Sequence, residues 1–267
     1  MTRKGGSAVA NTEFDTMRWE RPPTHLGLTR VDVDVWNATV VELAQAQDYL
    51  ETLVDESERK RAQRFHFESD RLRYIVTHGF LRLLLGSYIG CPANAIQFAQ
   101  RPDGKPMLMV GGDIPDLRFS ISHSHQRVLL AIANEREVGI DIEYCRKFAD
   151  MATLAENLFS VRERAILRSL PAEMREYAFY CCWVRKEAYL KATGQGLSAP
   201  LHDFDVTIAP GEPAALLTVQ WDAHAIEDWS LYDLPPVPEY AAALAVEGTQ
   251  CRKRFFAYVS TLCTELM

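Results

Sequence analysis

Two stretches decide the fold of this chain: Val138-Gly139-Ile140-Asp141-Ile142-Glu143 and Trp183-Val184-Arg185-Lys186-Glu187-Ala188-Tyr189-Leu190-Lys191. The first alternates apolar and polar residues. It reads as a half-buried strand with Val138, Ile140 and Ile142 toward a core and Asp141 and Glu143 on the opposite face. The second has helical spacing, which stacks Trp183, Glu187 and Lys191 along one stripe at i, i+4 and i+8. Where such a strand and helix meet, three carboxylates and a lysine converge. Hard oxygen ligands beside a cation suit a magnesium ion holding a phosphate ester. Read alone, the strand pattern also describes a solvated sheet face, and the helix pattern an aromatic anchor with surface charges.

Working outward, Leu26 to Trp36 has strand character, followed by helices over Ala38 to Leu50 and Ser57 to Phe65. A longer helix, capped by Ser69 or Asp70, carries Leu72, Ile75, Val76, Gly79, Phe80, Leu83 and Leu84 at three- and four-residue steps and ends near Gly86 to Gly90. Strands at Ile96–Phe98 and Met107–Val110 flank the turn Arg101-Pro102-Asp103-Gly104-Lys105-Pro106. Three more strands are expected at Leu117–Ser122, Val128–Ala133 and Val138–Glu143. Helices follow at Met151–Asn157, Ser160–Ser169 and Ala172–Thr193, the last stopped by Gly194 or Gly196. Phe204 to Tyr258 reads as short strands with Pro- and Gly-rich connections. Strands and helices thus occur once before about residue 136 and again after it, which suggests two similar α+β halves, 25–136 and 137–267, with the candidate site where they abut. Residues 1–24, charged and Gly-containing with no apolar signal core, read as a mobile extension.

Composition narrows the function. The 267 residues can bury a substantial core, and 48% hydrophobic with 24% charged residues is ordinary for a soluble globular protein. No run approaches the roughly 18 apolar residues of a membrane span. A net charge of −7 argues against a general nucleic-acid binder, so a phosphate ligand needs a local basic patch. The six cysteines (Cys91, Cys145, Cys181, Cys182, Cys251, Cys263) show no C-x-x-C spacing and read as cytosolic thiols, giving a cytoplasmic expectation.

Five motifs in order carry a resemblance: Arg64-Phe65 with Arg73 downstream; Gly104-Lys105-Pro106; Phe119-Ser120-Ile121-Ser122-His123-Ser124; Val138 to Glu143; and Trp183 to Lys191 with Gly194-Gln195-Gly196-Leu197. Together they resemble the long, surfactin-synthetase-activating (Sfp) type of 4′-phosphopantetheinyl transferase, over about Arg61 to Leu197. Many members of that family have Asn where Ser120 stands. The resemblance implies an α+β fold of two pseudo-symmetric halves, each a small, mostly antiparallel sheet packed with helices, and coenzyme A in the cleft between them. It implies magnesium-dependent transfer of phosphopantetheine from coenzyme A to a serine of an acyl or peptidyl carrier protein, releasing adenosine 3′,5′-bisphosphate. With Lys105 and His123 before the midpoint and Glu187 and Lys191 after it, both halves of the site lie in one chain and a monomer is expected; the charge and the lack of an apolar run lead to no nucleic-acid or membrane partner.

On this reading Asp141, Glu143 and Glu187 are the magnesium ligands. Glu187, Lys191 and Asp141 are the catalytic set, with Glu187 the candidate base for the serine hydroxyl and Lys191 placed on the pyrophosphate. Arg61 and Arg73 match positions that hold the 3′-phosphate of coenzyme A. Lys105, Pro106, Ser122, His123, Lys186 and Lys191 complete the coenzyme set. The basic residues around Arg59 to Arg73 also fit a solvated helix face. His123 and His125 form an H-x-H without a third soft ligand nearby, which argues against a metal role. Two other classes fit less: a binding module that has lost activity has little use for Asp141, Glu143, Glu187 and Lys191 together. A metal-dependent phosphohydrolase leaves the basic segment and the Gly104-Lys105-Pro106 turn unexplained.

Overall fold

The computed structural model describes residues 17–109, 115–196 and 199–259. Residues 1–16 of the expected extension lie outside the described residues, as do Val110, Leu197 and Cys263. In chain order the strands are β1 (Asp32–Thr39), β2 (Gln97–Gln100), β3 (Pro106–Met109), β4 (Leu117–Ser124), β5 (Arg127–Asn134), β6 (Val138–Tyr144), β7 (Phe204–Val206), β8 (Leu216–Val219), β9 (Trp229–Asp233), β10 (Tyr240–Glu247) and β11 (Arg252–Ala257). The helices are α1 (Val40–Ala44), α2 (Gln47–Leu53), α3 (Glu56–Ala62), α4 (Glu68–Ile89), α5 (Met151–Leu158), α6 (Val161–Ser169), α7 (Ala172–Thr193) and the single turn α8 (Ala225–Asp228).

Two sheets organise the molecule. One has the order β11-β1-β5-β4, the other β6-β10-β9; every pairing is antiparallel except β1 with β11. The alternation of side chains along each strand builds three cores. Trp36, Leu130 and Ile132 face α4, whose Val76, Phe80 and Leu84 are fully buried. Ala241, Ala243 and Ala245 face α7. Between the sheets, Val33, Val35, Leu129 and Ala131 meet Val138, Ile140, Ile142 and Leu244. The order is therefore helix, sheet, sheet, helix, an α+β fold with sheets and helices in both halves. The final strand β11 returns to the first sheet beside β1, so a division at residue 136 follows the chain but not the sheets.

Local signals explain most boundaries. Thr39, Asp55 and Ser160 each close a capping box at the start of α1, α3 and α6. Gly90 and Gly194 end the two long helices in the left-handed conformation. The main departure is β1, expected over Leu26–Trp36 and found over Asp32–Thr39. Asp32 and Asp34 are buried within it because Arg252 and Arg254 of β11 grip their carboxylates at 2.6 to 3.0 Å. Those partners lie 220 residues away, beyond any local pattern. Leu26 and Leu28 pack on the first core from irregular chain instead. Residues within the expected extension also dock: Glu20 bridges to Phe256 along β11, and Trp19 meets the Phe255 ring edge-on at 5.8 Å.

The two sheets present two seams. At one, edge strands β4 and β6 lie side by side; at the other, β9 and β11 flank a cavity of about 590 Å³.

Candidate active site

Gly139 brings the strand to the helix. A Cβ there would stand 2.0 Å from the Ala188 carbonyl oxygen and 2.4 Å from the Ala192 nitrogen, so only glycine lets β6 pass this close to α7. Asp141 and Glu143 then face Glu187 and Lys191. The Lys191 ammonium donates to Asp141 Oδ1 at 2.6 Å and to Ser122 Oγ at 3.0 Å. Ser122 donates to the same Asp141 oxygen at 2.8 Å, and Ser124 donates to Glu143 Oε2 at 2.8 Å. Two carboxylate oxygens, Asp141 Oδ2 and Glu187 Oε1, are buried without a partner.

Burial governs the ionisation of the cluster. It pushes Asp141 above its ordinary range, although Lys191 and Ser122 pull it back. Burial also raises Glu143, against the hydrogen bonds from Ser124 and the Trp183 indole. Glu187 is pushed up to about 7 by burial and by Asp141 and Glu143 alongside it, with Lys191 opposing. Crowded carboxylates that raise one another are a site for a cation. Among the described residues no group of three or more His, Cys, Asp or Glu side chains stands close enough together to hold a metal ion as they are placed. The donor set still fits magnesium, because it is all hard oxygen and includes two buried oxygens that nothing in the protein satisfies.

Cavities lie on both sides of the carboxylates. A groove of about 330 Å³ is bounded by Gly104, Pro106, Ile121, Leu190, Lys191 and Gly194. The hairpin turn that forms its wall packs against the end of α7, where a Cβ on Gly194 would strike the Asp103 carboxylate at 2.2 Å. Beyond Glu143 opens a second cavity of about 520 Å³, lined by His125, Arg146, Phe148, Leu154, Phe179 and Trp183 among others.

The remaining sequence-predicted residues divide. His123 is the penultimate residue of β4; burial first, then the nearby Arg73 and Lys191 cations, hold its imidazole below the usual range. Arg73 donates to Asp70 at 2.9 Å, while its Nε is buried with no partner. Arg61 is exposed, with its guanidinium 5.9 Å from the Tyr74 ring centroid. Pro106 is exposed on the groove.

Two expected coenzyme ligands are placed otherwise. Lys186 has no solvent exposure: its ammonium pairs with Glu163 at 2.9 Å and donates to the Leu201 and Phe204 carbonyls. One helical position from Glu187 turns it about 100° into the second half's core, where its three donors are committed. Lys105 borders the groove, but its ammonium donates to Glu137 at 2.8 Å and to the carbonyls of Val138 and Ala192 at 3.0 and 3.1 Å. It clamps the hairpin to β6 and α7. Ser124, which touches Glu143, was not singled out from sequence. Its signal was there in the same-face alternation Ser120, Ser122, Ser124 on a strand.

The thiols stay in the background. The cysteines among the described residues are unpaired, and burial pushes Cys145 up to about 12 and Cys181 up to about 11. No helix among the described residues is long and apolar enough to cross a membrane.

The chain is similar to known proteins over most of its length. Residues 137–245 match the family described as the 4′-phosphopantetheinyl transferase superfamily, and residues 34–135 match the family described as 4′-phosphopantetheinyl transferase, N-terminal. The chain is 37% identical over 241 residues to the 4′-phosphopantetheinyl transferase HetI of a Nostoc species, covering 90% of this chain and 98% of that one. It is 32% identical over 194 residues to the 4′-phosphopantetheinyl transferase psf-1 of Bacillus pumilus, covering 73% and 80% of the two chains. Among solved structures, the Thermotoga maritima holo-[acyl-carrier-protein] synthase matches 43% of this chain and 64% of its own, with a TM-score of 0.35 at 22% identity.

Proposed function

The chain belongs to the family of 4′-phosphopantetheinyl transferases and transfers 4′-phosphopantetheine to carrier proteins, and we propose that it does so from coenzyme A at Asp141, Glu143, Glu187 and Lys191, with magnesium. The observation that carries this reading is the pair of buried, unpartnered oxygens, Asp141 Oδ2 and Glu187 Oε1, beside the Lys191 ammonium. Asp141, Glu143 and Glu187 are the residues that would hold the magnesium, which when bound supplies positive charge to the phosphate oxygens.

The chain's own groups account for the rest. A carrier serine oxygen forms a bond to the phosphorus that bears the pantetheine. The bond from that phosphorus to the bridging oxygen breaks, and adenosine 3′,5′-bisphosphate leaves. Glu187, which also borders the magnesium site, is the candidate to take the hydroxyl proton. Lys191, half-exposed beside Asp141, offsets charge on the leaving phosphate.

The groove bounded by Gly104, Pro106 and Lys191 is the coenzyme side of the site. Arg73, with an unpartnered buried Nε, and His123 are the candidates for the 3′-phosphate, with Arg61 exposed over the Tyr74 ring. The aromatic cavity beyond Glu143 is the carrier side, with Leu154 of α5 exposed at its lip. Arg164 and Arg168 of the adjoining α6 are tied to Glu156, so this docking relies on apolar contact more than on those charges. Both halves of the site lie in one chain, which supports a working monomer.

Mass spectrometry of apo carrier protein incubated with coenzyme A and magnesium tests the assignment. The parent protein adds one phosphopantetheine, and Glu187→Gln does so at least about 100-fold more slowly. A folded Glu187→Gln variant acting at the parent rate removes Glu187 from the mechanism.

A further inference from the structure

The seam between β4 and β6 is closed by three serines rather than by a backbone ladder. Ser120, Ser122 and Ser124 alternate along β4, and each hydroxyl oxygen accepts from an N–H of β6 twenty residues on: Ile140 at 3.1 Å, Ile142 at 3.4 Å and Tyr144 at 3.0 Å. These N–H groups point away from β10, the strand that pairs the other edge of β6, and would otherwise be left at the sheet edge. A hydroxyl has a single proton to give. Ser122 gives its proton to Asp141 and Ser124 gives its proton to Glu143, each at 2.8 Å. Two of the three contacts that join the sheets therefore also hold a carboxylate.

We propose that Ser124, together with Ser122, is a positioning residue for the carboxylate site, fixing Glu143 through a hydroxyl that is itself oriented by the Tyr144 N–H. The inference rests on the reading of Asp141, Glu143 and Glu187 as cation ligands. The Tyr144 N–H occupies an acceptor site on the Ser124 oxygen, which leaves the hydroxyl proton for Glu143 Oε2 and turns that carboxylate toward α7. Ser122 does the same for Asp141 while accepting from Lys191, so strand, helix and seam meet at one oxygen. Ser120 supplies an internal control. It accepts from the Ile140 N–H in the same way but donates to no carboxylate among the described residues.

The test is direct binding of Mn²⁺ alone to the otherwise unliganded protein, read by electron paramagnetic resonance of the free ion, with thermal unfolding measured in parallel. Loss of a partner that orients a metal ligand weakens metal affinity by about 10-fold or more. Ser124→Ala should weaken Mn²⁺ binding by about that factor and Ser124→Thr should restore it. Ser120→Ala should lower the melting temperature with Mn²⁺ affinity within twofold of the parent. If Ser124→Ala does not fold, Ser124→Cys, a weak donor of similar size, should show the same loss of affinity. Unchanged affinity in folded Ser124→Ala or Ser124→Cys, or an equal loss in Ser120→Ala, overturns the proposal. Binding that Asp141→Asn leaves unchanged removes the cation reading itself and this inference with it. Binding that depends on Asp141 but not on Ser124 removes the inference alone.

Discussion

The same two sheets meet at two seams, and the seams have opposite characters. Between β4 and β6, small hydroxyl side chains let the strands lie close, and every hydroxyl is satisfied by a backbone N–H of the facing strand. Between β9 and β11 the edges stay apart around a cavity of about 590 Å³, crossed by longer side chains such as Lys253, whose ammonium stands 3.7 Å from the Tyr232 ring centroid. Residues 17–20 run along β11 there and cover part of its free edge, as Glu20 donates to Phe255 and accepts from Ala257 at 2.8 Å. The difference shows what a tight seam achieves. Short side chains fix the Asp141 and Glu143 carboxylates and leave Asp141 Oδ2 unsatisfied, whereas the wide seam is spanned by a long side chain.

Replacement of Asp141 by Asn gives the largest expected effect. It keeps shape and the Ser122 contact but loses the charge that pairs with Lys191, and carrier modification should fall by at least about 100-fold with the fold retained by circular dichroism. Near-normal turnover would mean that the tight seam is structural only. Next comes the ligand end: dephospho-coenzyme A should bind at least about tenfold more weakly than coenzyme A, since a charge-assisted contact to phosphate contributes roughly 1.5–3 kcal/mol. Arg73→Ala should erase most of that difference in a binding isotherm, and equal affinities in the parent would return the basic segment to a solvated face.

Gly139→Ala tests the close approach itself. The added methyl cannot be accommodated against helix backbone, so urea unfolding should show a loss of about 1–3 kcal/mol. An unaltered midpoint would show that β6 and α7 have room to separate.

The β1–β11 pair beside the wide seam should be sensitive to acid. The Arg252 hydrogen bond holds Asp32 well below the usual carboxylate range, against the pull of burial. A depressed carboxyl stabilises the fold above its unfolded pKa, about 4, and that contribution is lost as pH falls through the folded value. Arg252→Gln should therefore be less stable than the parent at neutral pH, with the gap closing below about pH 4; a gap that widens in acid would contradict the sign. The smallest effect belongs to Lys253→Ala, where loss of a ring contact should cost about 0.5–1 kcal/mol in urea unfolding and leave carrier modification unchanged. A large activity loss there would mean that the two seams are coupled.

Much of this was readable in advance. Helix α7 spans the residues expected, Ala172 to Thr193, because helical spacing and the glycine stop, Gly194 or Gly196 in sequence and Gly194 in the structure, are local signals. The alternation of β6 and the turn between β2 and β3 are equally local. Where the reading fell short, the deciding partner was distant. Lys186 and Lys191 look alike in a helix, but one faces Glu163 and two carbonyls in a core while the other faces Asp141 at the cleft. Lys105, expected in the coenzyme set, has its ammonium taken by Glu137, Val138 and Ala192, none of which is near it in sequence.

The sequence by itself determined the elements, the faces they bury and the residue types that gather at the site, because periodicity, capping and turn chemistry act over a few residues. Only the tertiary structure decided which polar groups are available for chemistry. A buried donor or acceptor must be paired, and whether its partner is a carbonyl of the protein or a ligand depends on which strand or helix comes to rest beside it. Serines 120, 122 and 124 became a seam, and two of them holders of carboxylates, only because β6 settled alongside β4 in that register.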